Sequence, residues 1–373
     1  MIRTELRKAI LLRVAAAVVG LAVCAIGFLA LDYAAGKLNL YDDETVYRIR
    51  DPRFHHTFAP MYSTKRAHWG GAFYEMYTNN LGFRDASTRI VDKVPSRHRV
   101  VFLGDSFAEG MGLPWQETFV GRFAALNPDI EVLNGAVGSY SPLLYLEKTK
   151  WLLDQGYQFD ELIVYIDISD IADDGIVYER MPDGSIDRHA DMCPYGYVAE
   201  IDAGAHPIPV VAVVKRKLAP ALPATYLLYR MLSAGSFKPG PPTYHPGFLR
   251  GMWTVRADLP CYGDGGVAGA IAKTTQNMDA LATLLKAHGI ALSVGVYPWP
   301  EQLVYDSEES LQVRLWREWC AKAGCRRFFN HFPDLFAHAQ AEDTWSDMYI
   351  QGDLHFNALG SRLIAERLSR EYR

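Results

Sequence analysis

A serine hydroxyl and the two side chains that could activate it occur at two distant places in this 373-residue chain. Ser106 ends the stretch "VVFLGDS", in which four apolar residues stop at a corner of small residues. A strand that ends this way lifts a hydroxyl above the edge of a sheet, where a substrate and a base can reach it. Asp353 and His355 lie two residues apart in "YIQGDLHFNALGSRL", just before the last predicted helix.

These residue types predict nucleophilic catalysis. A serine hydroxyl is a weak nucleophile until a base removes its proton, and the base works best when a carboxylate holds its ring. Ser106 is therefore the candidate nucleophile, His355 the base and Asp353 the residue that orients it. Either motif alone is also typical of a solvated turn, so their common position in the fold is what favours the catalytic interpretation.

The elements that must position these residues follow a regular pattern. Short β-branched apolar runs such as "RVVFL", "ELIVYI" and "ALSVGVY" alternate with helix-length segments. This alternation predicts an α/β fold, a three-layer sandwich with a mostly parallel sheet covered on both faces. In such sheets ligands collect at the carboxyl ends of the strands. Ser106, Gly138, Ser169, the Trp299 loop and His355 all fall at such ends or just before a following helix.

The chain divides into three predicted parts. Residues 1–35 form a membrane anchor, residues 36–98 a polar, aromatic and irregular lead-in that packs on the main domain, and residues 99–373 the α/β domain. An insertion at about 175–264 interrupts that domain. Its apolar segments contain four basic residues, Lys215, Arg216, Lys217 and Arg230. They indicate either a lid or membrane-leaning surface, or a solvated basic turn between core-packing segments.

The amino terminus carries an uncharged apolar run, Val14 to Leu31, which is about long enough to cross a bilayer as a helix. Basic residues before it and Asp32 after it predict a cytoplasmic amino terminus and an exported body. The predicted location is a single-pass inner-membrane protein whose catalytic domain lies in the periplasm or otherwise outside the cytoplasm. A cleaved signal peptide and a buried soluble helix are the alternatives, although Tyr33-Ala34-Ala35 is a poor cleavage site.

Composition narrows the classes of partner. Only 22% of residues are charged and the net charge is -5, which gives no electrostatic reason to expect nucleic acid. No closely grouped thiolates or imidazoles predict a metal, and no cofactor is expected. Four cysteines beyond the apolar run permit three pairings. Cys320 and Cys325 at the end of a predicted helix favour a local disulfide, which would leave Cys193 with Cys261.

The motifs resemble those of the SGNH hydrolases, also called GDSL esterases. The resemblance rests on Gly104-Asp105-Ser106-Phe107, on a glycine after the second strand of the α/β domain, and on a carboxylate with histidine before the last helix. It covers residues 99–174 and 265–373. In that family the serine amide, a glycine amide and an asparagine side chain hold the oxyanion. By position, the resemblance implies Ser106 as nucleophile, Gly138 as the glycine donor, and Asp353 and His355 as acid and base.

Two departures from the family pattern bear on activity. The Gly-x-Asn-Asp of the family appears here as Asp167-Ile168-Ser169-Asp170, so Ser169 stands where the oxyanion asparagine is expected. Losing one oxyanion donor costs about a hundred- to thousandfold in rate. The chain also has Asp-x-His where many members have Asp-x-x-His. Alginate-type acetyltransferases of the superfamily use Asp-x-His too, but place it before the serine.

Further residues are candidates for substrate contact. Asp105 directly precedes the nucleophile. Tyr140 and Trp299 each fall at a strand end, where they are either sugar-stacking residues or partly buried core aromatic residues. An acidic rim is predicted from four carboxylates, which either bind a cationic or hydroxyl-rich substrate or are solvated: Glu109, Asp170, Asp173 and Asp174. Arg84 in "NNLGFRD" is predicted to tie the lead-in to the domain.

The functional hypothesis is a serine esterase or O-acyltransferase acting on O-acetyl groups of an envelope polysaccharide or glycolipid. Its partners would be that acylated carbohydrate or lipid, the membrane through the amino-terminal helix, and polysaccharide assembly proteins of the envelope. The alternative, supported by Ser169, is a non-catalytic glycan-binding or polysaccharide-export module with a degenerate site.

Overall fold

The computed structural model describes residues 2–37, 44–69, 72–188, 250–259, 262–341 and 346–373, together with residues 222, 224, 225 and 228. The chain forms two compact units, Met1–Tyr41 with Ala205–Ser236, and Asp42–Gly204 with Phe237–Arg373. Several residues of the sequence predictions lie outside the described residues: Cys193, Lys215, Arg216, Lys217, Arg230 and Cys261. The second unit contains most of the predicted lead-in and most of the predicted α/β domain, whereas residues 36–41 and 205–236 belong to the first unit.

The first unit is built on helix α1, Ile2–Lys37. Within it, Ile10–Ala35 has a mean hydropathy of 2.7 and is long and apolar enough to cross a membrane. A signal sequence near the amino terminus can meet the same criterion of length and hydropathy. The carboxylate of Asp32 accepts hydrogen bonds from the backbone N–H groups of Ala224 and Thr225, at 3.1 and 2.9 Å.

An eight-stranded sheet forms the centre of the second unit, in the order β12-β11-β8-β6-β7-β5-β4-β3. Two antiparallel hairpins, β1 with β2 and β9 with β10, lie outside this sheet. The strands are β1 Arg48–Asp51, β2 His55–Phe58, β3 Ser63–Trp69, β4 Ala72–Thr78, β5 Arg84–Asp85, β6 Arg99–Leu103, β7 Glu131–Asn134, β8 Glu161–Tyr165, β9 Tyr178–Arg180, β10 Ile186–Arg188, β11 Ala291–Val296 and β12 Arg327–Asn330.

The five strands β6, β7, β8, β11 and β12 are parallel, which confirms the mostly parallel sheet. All five residues of β6 are buried, as expected for a strand covered on both faces. The chain runs from β6 to β7 on one side and then to β8 on the other. Strand β6 is therefore the point where the strand order reverses, and a crevice opens at its carboxyl end.

Helices cover the sheet in two packed groups: α5 contacts α7, and α4 contacts α11. The helices of this unit are α2 Glu44–Tyr47, α3 Ser106–Glu109, α4 Phe119–Leu126, α5 Pro142–Asp154, α6 Asp170–Ala172, α7 Gly266–Ala287, α8 Gln302–Tyr305, α9 Leu311–Ala323, α10 Phe332–Ala341 and α11 Ala358–Tyr372. Local sequence sets their ends. Thr118, Ser310 and Asn357 cap α4, α9 and α11 through side-chain oxygens that accept backbone N–H groups. The Cys320–Cys325 disulfide at the end of α9 is present, as predicted.

The prediction that the lead-in is irregular is wrong. Strands β3, β4 and β5 extend the central sheet as an antiparallel edge, with Arg84 of β5 paired to Asn134 of β7. Strand β4 alternates between exposed and buried positions along most of its length, and Ala67 is the one fully buried residue of β3. Because one face of this edge is open to solvent, its strands carry polar residues, and they lack the continuous apolar runs that mark the buried strands.

Arg84 joins the lead-in to the segment that follows Ser106. Its side chain is 1% exposed, and its guanidinium donates to the backbone carbonyls of Glu109 at 2.8 Å, Gly110 at 2.5 Å, and Leu113. Charged donors to several carbonyls make strong hydrogen bonds inside a protein. Arg84 therefore positions the loop at the carboxyl end of α3.

Candidate active site

Ser106 opens the short helix α3 directly after strand β6. Gly104 makes this sharp corner possible, because a Cβ there would lie 2.6 Å from the Ala108 Cβ and 3.0 Å from the Tyr165 carbonyl oxygen. The Asp105 carboxylate accepts the Phe107 N–H at 3.0 Å and so caps the helix. As the first residue of α3, Ser106 has a backbone N–H with no acceptor inside the helix.

The structure brings Ser106, His355 and Asp353 together across 249 positions of sequence. The Ser106 Oγ lies 2.8 Å from the His355 Nε2. On the other side of the ring, the Nδ1 contacts the Asp353 Oδ1. A neutral imidazole whose Nδ1–H donates to Asp353 has an Nε2 lone pair directed at the Ser106 hydroxyl.

A tight turn places the Asp353-x-His355 pair. The Asp353 N–H donates to the Ile350 carbonyl at 2.9 Å, and the His355 carbonyl accepts the Ile350 N–H at 2.8 Å. The His355 N–H also donates to the Asp353 carboxylate at 3.0 Å. The imidazole packs edge-on against the Trp69 ring, with 5.6 Å between centroids, and against Phe107 at 5.1 Å. The lead-in thus supplies one wall of the site.

Burial and charge act in opposite directions on this pair. Burial disfavours the charged form of His355, but the charge and hydrogen bond of Asp353 outweigh it, so the pKa of His355 is raised above 6.5. Burial likewise opposes the charge of Asp353, and His355 more than compensates, so the pKa of Asp353 is lowered. Asp353 therefore holds the ring and favours the imidazolium that forms when His355 takes a proton.

Asp105 is a third carboxyl group beside the nucleophile. Its Oδ2 lies 3.2 Å from the Ser106 Oγ, and its Oδ1 accepts the Tyr297 hydroxyl at 3.0 Å. Burial, followed by the nearby Asp167 charge, raises the pKa of Asp105 to about 8. Burial therefore favours the protonated, uncharged form of Asp105 at the wall of the site.

The predicted oxyanion donors Gly138 and Ser169 line the same cavity, but carboxylates engage their donor groups. The Gly138 N–H donates to the Glu109 Oε2 at 2.6 Å. The Ser169 hydroxyl donates to the Asp167 Oδ1 at 2.7 Å, and the Ser169 N–H to the same oxygen at 2.8 Å. Of the three predicted oxyanion donors, Gly138 and Ser169 therefore donate to carboxylates in this arrangement, and the Ser106 N–H does not.

The predicted acidic rim is wrong, because its four carboxylates are buried at 0–1% exposure. Glu109 pairs with Arg48 at 3.1 Å, Asp173 pairs with Arg250, and Asp170 accepts the Tyr145 hydroxyl at 2.8 Å. Asp174 accepts the Ser141 hydroxyl at 2.5 Å and the Asn277 amide at 2.9 Å. Burial raises the pKa of both Asp173 and Asp174 to about 6. Arginine and hydroxyl partners allow these carboxylates to lie under the surface.

The two aromatic candidates differ in position. Tyr140 is fully buried, and its hydroxyl donates to the His56 carbonyl at 2.6 Å, so it is a core residue and not a sugar-stacking one. Trp299 lines the cavity at 3% exposure and donates its Nε1–H to Asp167 at 2.6 Å. The indole therefore orients the carboxylate that also holds Ser169.

The cavity beside Ser106 has a volume of about 400 Å³ and includes residues that the sequence patterns did not single out. Those residues come chiefly from the lead-in and from both ends of the insertion: Arg48, Ile49, Arg50, His55, His56, Trp69, Tyr178 and Arg250. The only sequence signal for this set is the cluster "YRIR" and "FHHTF" in residues 47–58, where basic residues alternate with apolar ones. That pattern predicts a hairpin, but not that it faces the site.

Two histidines of the lead-in fix the loop that contains Gly138. The His56 Nε2–H donates to the Gly138 carbonyl at 2.8 Å, and the His56 Nδ1 accepts from the His55 Nδ1–H at 2.9 Å. Burial, followed by the Arg48 charge, lowers the pKa of His56 to about 3, so this ring is neutral. His55 and Ser139 both have φ near +63°, a strained conformation for residues other than glycine, and both line the cavity.

Among the residues that the structure describes, no group of three or more His, Cys, Asp or Glu side chains is placed to hold a metal ion. The hydrogen-bonded arrangement of serine, imidazole and carboxylate is suited to acyl transfer through a serine ester.

Comparison with known proteins gives structural matches only. No protein-family model matches the chain, and no curated protein matches it in sequence. The chain is similar to the psychrotrophic esterase EstA from Pseudoalteromonas sp., with 12% identity over 74% of this chain and 96% of that chain, at a TM-score of 0.37.

Two further structures are similar to the same degree. One is a catalytic mutant of Axe2, an acetylxylan esterase from Geobacillus stearothermophilus, with 12% identity over 75% of this chain and 96% of that chain, at a TM-score of 0.40. The other is a member of the lipolytic protein G-D-S-L family from Veillonella parvula, with 9% identity over 73% and 97%, at 0.38. The family that the motifs resemble is thus represented among the similar structures. Since identities and TM-scores are low, these similarities carry no argument about the function of this chain.

Proposed function

We propose that this protein is an SGNH-type serine esterase or O-acyltransferase. The observation that carries the proposal is the 2.8 Å contact between the Ser106 Oγ and the His355 Nε2, with Asp353 on the opposite ring nitrogen. Ser106 lies at the carboxyl end of β6, where the strand order reverses and ligands of parallel sheets bind. The leaving group is an alcohol, because a serine, an imidazole and a carboxylate acting together cleave an ester through a serine ester.

The reaction would run in two halves. The Ser106 oxygen attacks the acyl carbon while the His355 Nε2 accepts its proton, and Asp353 stabilises the resulting imidazolium. The oxyanion then faces the Ser106 N–H at the start of α3. Collapse releases the alcohol, which takes the proton from His355. In the second half, His355 takes the proton of water or of a sugar hydroxyl as that oxygen attacks the acyl carbon, and it returns the proton to the Ser106 oxygen as the acyl–Ser106 bond breaks. Attack by water gives hydrolysis, and attack by a sugar hydroxyl gives transfer.

We further propose that the acyl group is an O-acetyl group of an envelope polysaccharide or glycolipid, and that α1 holds the protein at the inner membrane. The support is the apolar window Ile10–Ala35, preceded in sequence by basic residues. An exported, membrane-anchored enzyme shares its compartment with envelope glycans and lipids and not with cytosolic metabolites. Envelope polysaccharide assembly proteins are the partners this location would provide.

The proposal is tested by labelling the full-length protein in detergent with a serine-directed fluorophosphonate and by assaying a chromogenic acetyl ester. We expect stoichiometric labelling of the peptide that contains Ser106, together with ester hydrolysis. Heat-denatured protein is the control for non-specific labelling. A folded protein that resists labelling at Ser106 and hydrolyses no acetyl ester would contradict the enzymatic proposal.

A specific observation supports a second candidate, a non-catalytic glycan-binding module. Carboxylates already engage the Gly138 N–H and the Ser169 hydroxyl, so two of the three expected oxyanion donors are occupied. A binding module does not need those donors. Resistance to the fluorophosphonate combined with measurable glycan binding would favour this candidate.

The raised pKa of His355 predicts the pH dependence of the esterase reaction. Only the neutral imidazole can accept the Ser106 proton, so kcat/KM should fall as the pH drops through the pKa of His355. Because that pKa lies above 6.5, the half-maximal point of the acidic limb should lie above pH 6.5. Steady-state rates from pH 5 to 9 give this value, and a midpoint clearly below 6.5 would contradict the Asp353–His355 pairing.

A further inference from the structure

The cavity beside Ser106 is lined by three guanidinium groups. Arg48 and Arg50 come from strand β1 of the lead-in, and Arg250 comes from the carboxyl-terminal part of the insertion. Their side chains are 13%, 59% and 21% exposed. Arg48 also contacts the loop that contains Gly138, since its Nη1 is 3.5 Å from the Gly138 carbonyl oxygen. Three arginines therefore line the cavity that also contains Ser106.

The carboxylates that hold two of these arginines lie behind the cavity wall. Glu109, the partner of Arg48, and Asp173, the partner of Arg250, are each 1% exposed and do not line the cavity. Among the described lining residues, Asp105 is the one carboxyl group, and burial favours its protonated form. The described carboxylate partners of Arg48 and Arg250 are therefore not part of the described cavity lining.

Arg50 differs from the other two because its partner is itself at the surface. It pairs with Asp187 at 2.7 Å, and the Asp187 side chain is 43% exposed. Such exposed pairs contribute little to stability, so a ligand oxyanion can replace Asp187 at small cost. Arg48 and Arg250, held by buried carboxylates, are already oriented and need little further ordering to bind a ligand.

We propose that the substrate of this site is an acyl ester that carries an anionic group, a carboxylate or a phosphate, on the alcohol portion. Arg50 binds that group directly, and the guanidinium groups of Arg48 and Arg250 line the same cavity. The planar guanidinium matches both oxyanions through paired hydrogen bonds. This inference rests on the proposed esterase function and names the substrate class of the same site.

The test compares the O-acetyl esters of methyl glucoside, methyl glucuronoside and methyl glucoside phosphate, with acetate release as the readout. For the full-length enzyme we expect kcat/KM to be about tenfold higher for one of the anionic esters than for the neutral one. The preference should shrink as salt rises from about 50 to 500 mM, because ions screen the attraction. The two anionic arms distinguish a carboxylate from a phosphate.

Arg50→Gln should lower the ratio of anionic to neutral kcat/KM about tenfold. Arg53→Gln is the matched control, because Arg53 lies in the same hairpin, is 52% exposed and pairs with Asp51, but does not line the cavity. It should leave the ratio unchanged. A double variant, Arg250→Gln with Asp173→Asn, removes a second guanidinium without leaving a buried unpaired charge, and it should also lower the ratio.

The outcomes separate the two proposals. Equal hydrolysis of all three esters, with a ratio that Arg50→Gln does not move, would overturn the anionic substrate while the esterase function stands. If the wild-type protein hydrolyses none of them, the esterase proposal fails, and calorimetry on Ser106→Ala with methyl glucuronoside, methyl glucoside phosphate and methyl glucoside then decides the anion site. Salt-sensitive binding of an anionic glycoside supports the site, and equal or undetectable binding overturns it.

Discussion

Replacing Ser106 with alanine is expected to lower kcat/KM for an acetyl ester by about 10³- to 10⁶-fold. The Ser106 hydroxyl oxygen is the atom that would bond to the acyl carbon. Its proton is the one that the His355 Nε2, at 2.8 Å, would accept, so the alanine variant lacks both the nucleophile and that proton. Steady-state kinetics with the chromogenic ester, beside thermal melting of the same protein, would measure the effect. Removal of one small hydroxyl should leave the melting temperature close to that of the wild type.

Ser139→Ala is a suitable comparison, because Ser139 lines the same cavity from the loop after β7. It should keep most of the activity, which would show that the loss in Ser106→Ala is specific to the nucleophile. Equal hydrolysis by Ser106→Ala and wild-type protein would mean that the observed activity arises elsewhere, and the catalytic assignment of Ser106 would be abandoned.

Asp353→Asn is expected to lower kcat by about 10⁴-fold. The amide cannot hold the Nδ1–H tautomer of His355 or stabilise the imidazolium, so the ring loses both orientation and basicity. The pKa of His355 should also move. Asp353 is what raises that pKa against the effect of burial, so in the variant burial lowers it and the acidic limb of kcat/KM shifts to lower pH.

The shift of the pH profile distinguishes positioning from a general loss of folding. Asp353 is only half-buried, so the substitution should be tolerated structurally. A residual activity whose acidic limb coincides with that of the wild type would contradict the role of Asp353. Asp347→Asn is the control, because Asp347 pairs with another histidine, His338, at 2.9 Å in the same carboxyl-terminal region. It should leave both the rate and the limb unchanged.

Much of the α/β core could be predicted from the sequence because its signals are local. Buried parallel strands need continuous β-branched runs, and covering helices need apolar residues at helical spacing, so the bounds of β6, β7, β8 and β11 follow from short windows. The corner at Gly104 and the Asp353-x-His355 turn are local too. Since parallel strands all end at one edge of the sheet, the meeting of Ser106 with His355 was predictable from their positions alone.

The lead-in and the electrostatics of the site were decided only by the tertiary structure. Strands β3 to β5 form one edge of the sheet and have one open face, so they lack an apolar run that a sequence window detects. Whether a carboxylate is solvated or buried depends on partners distant in sequence, such as Arg48 for Glu109 and Arg250 for Asp173. Burial of a charge becomes tolerable only when packing supplies that partner, and residue type and local spacing carry no information on such packing.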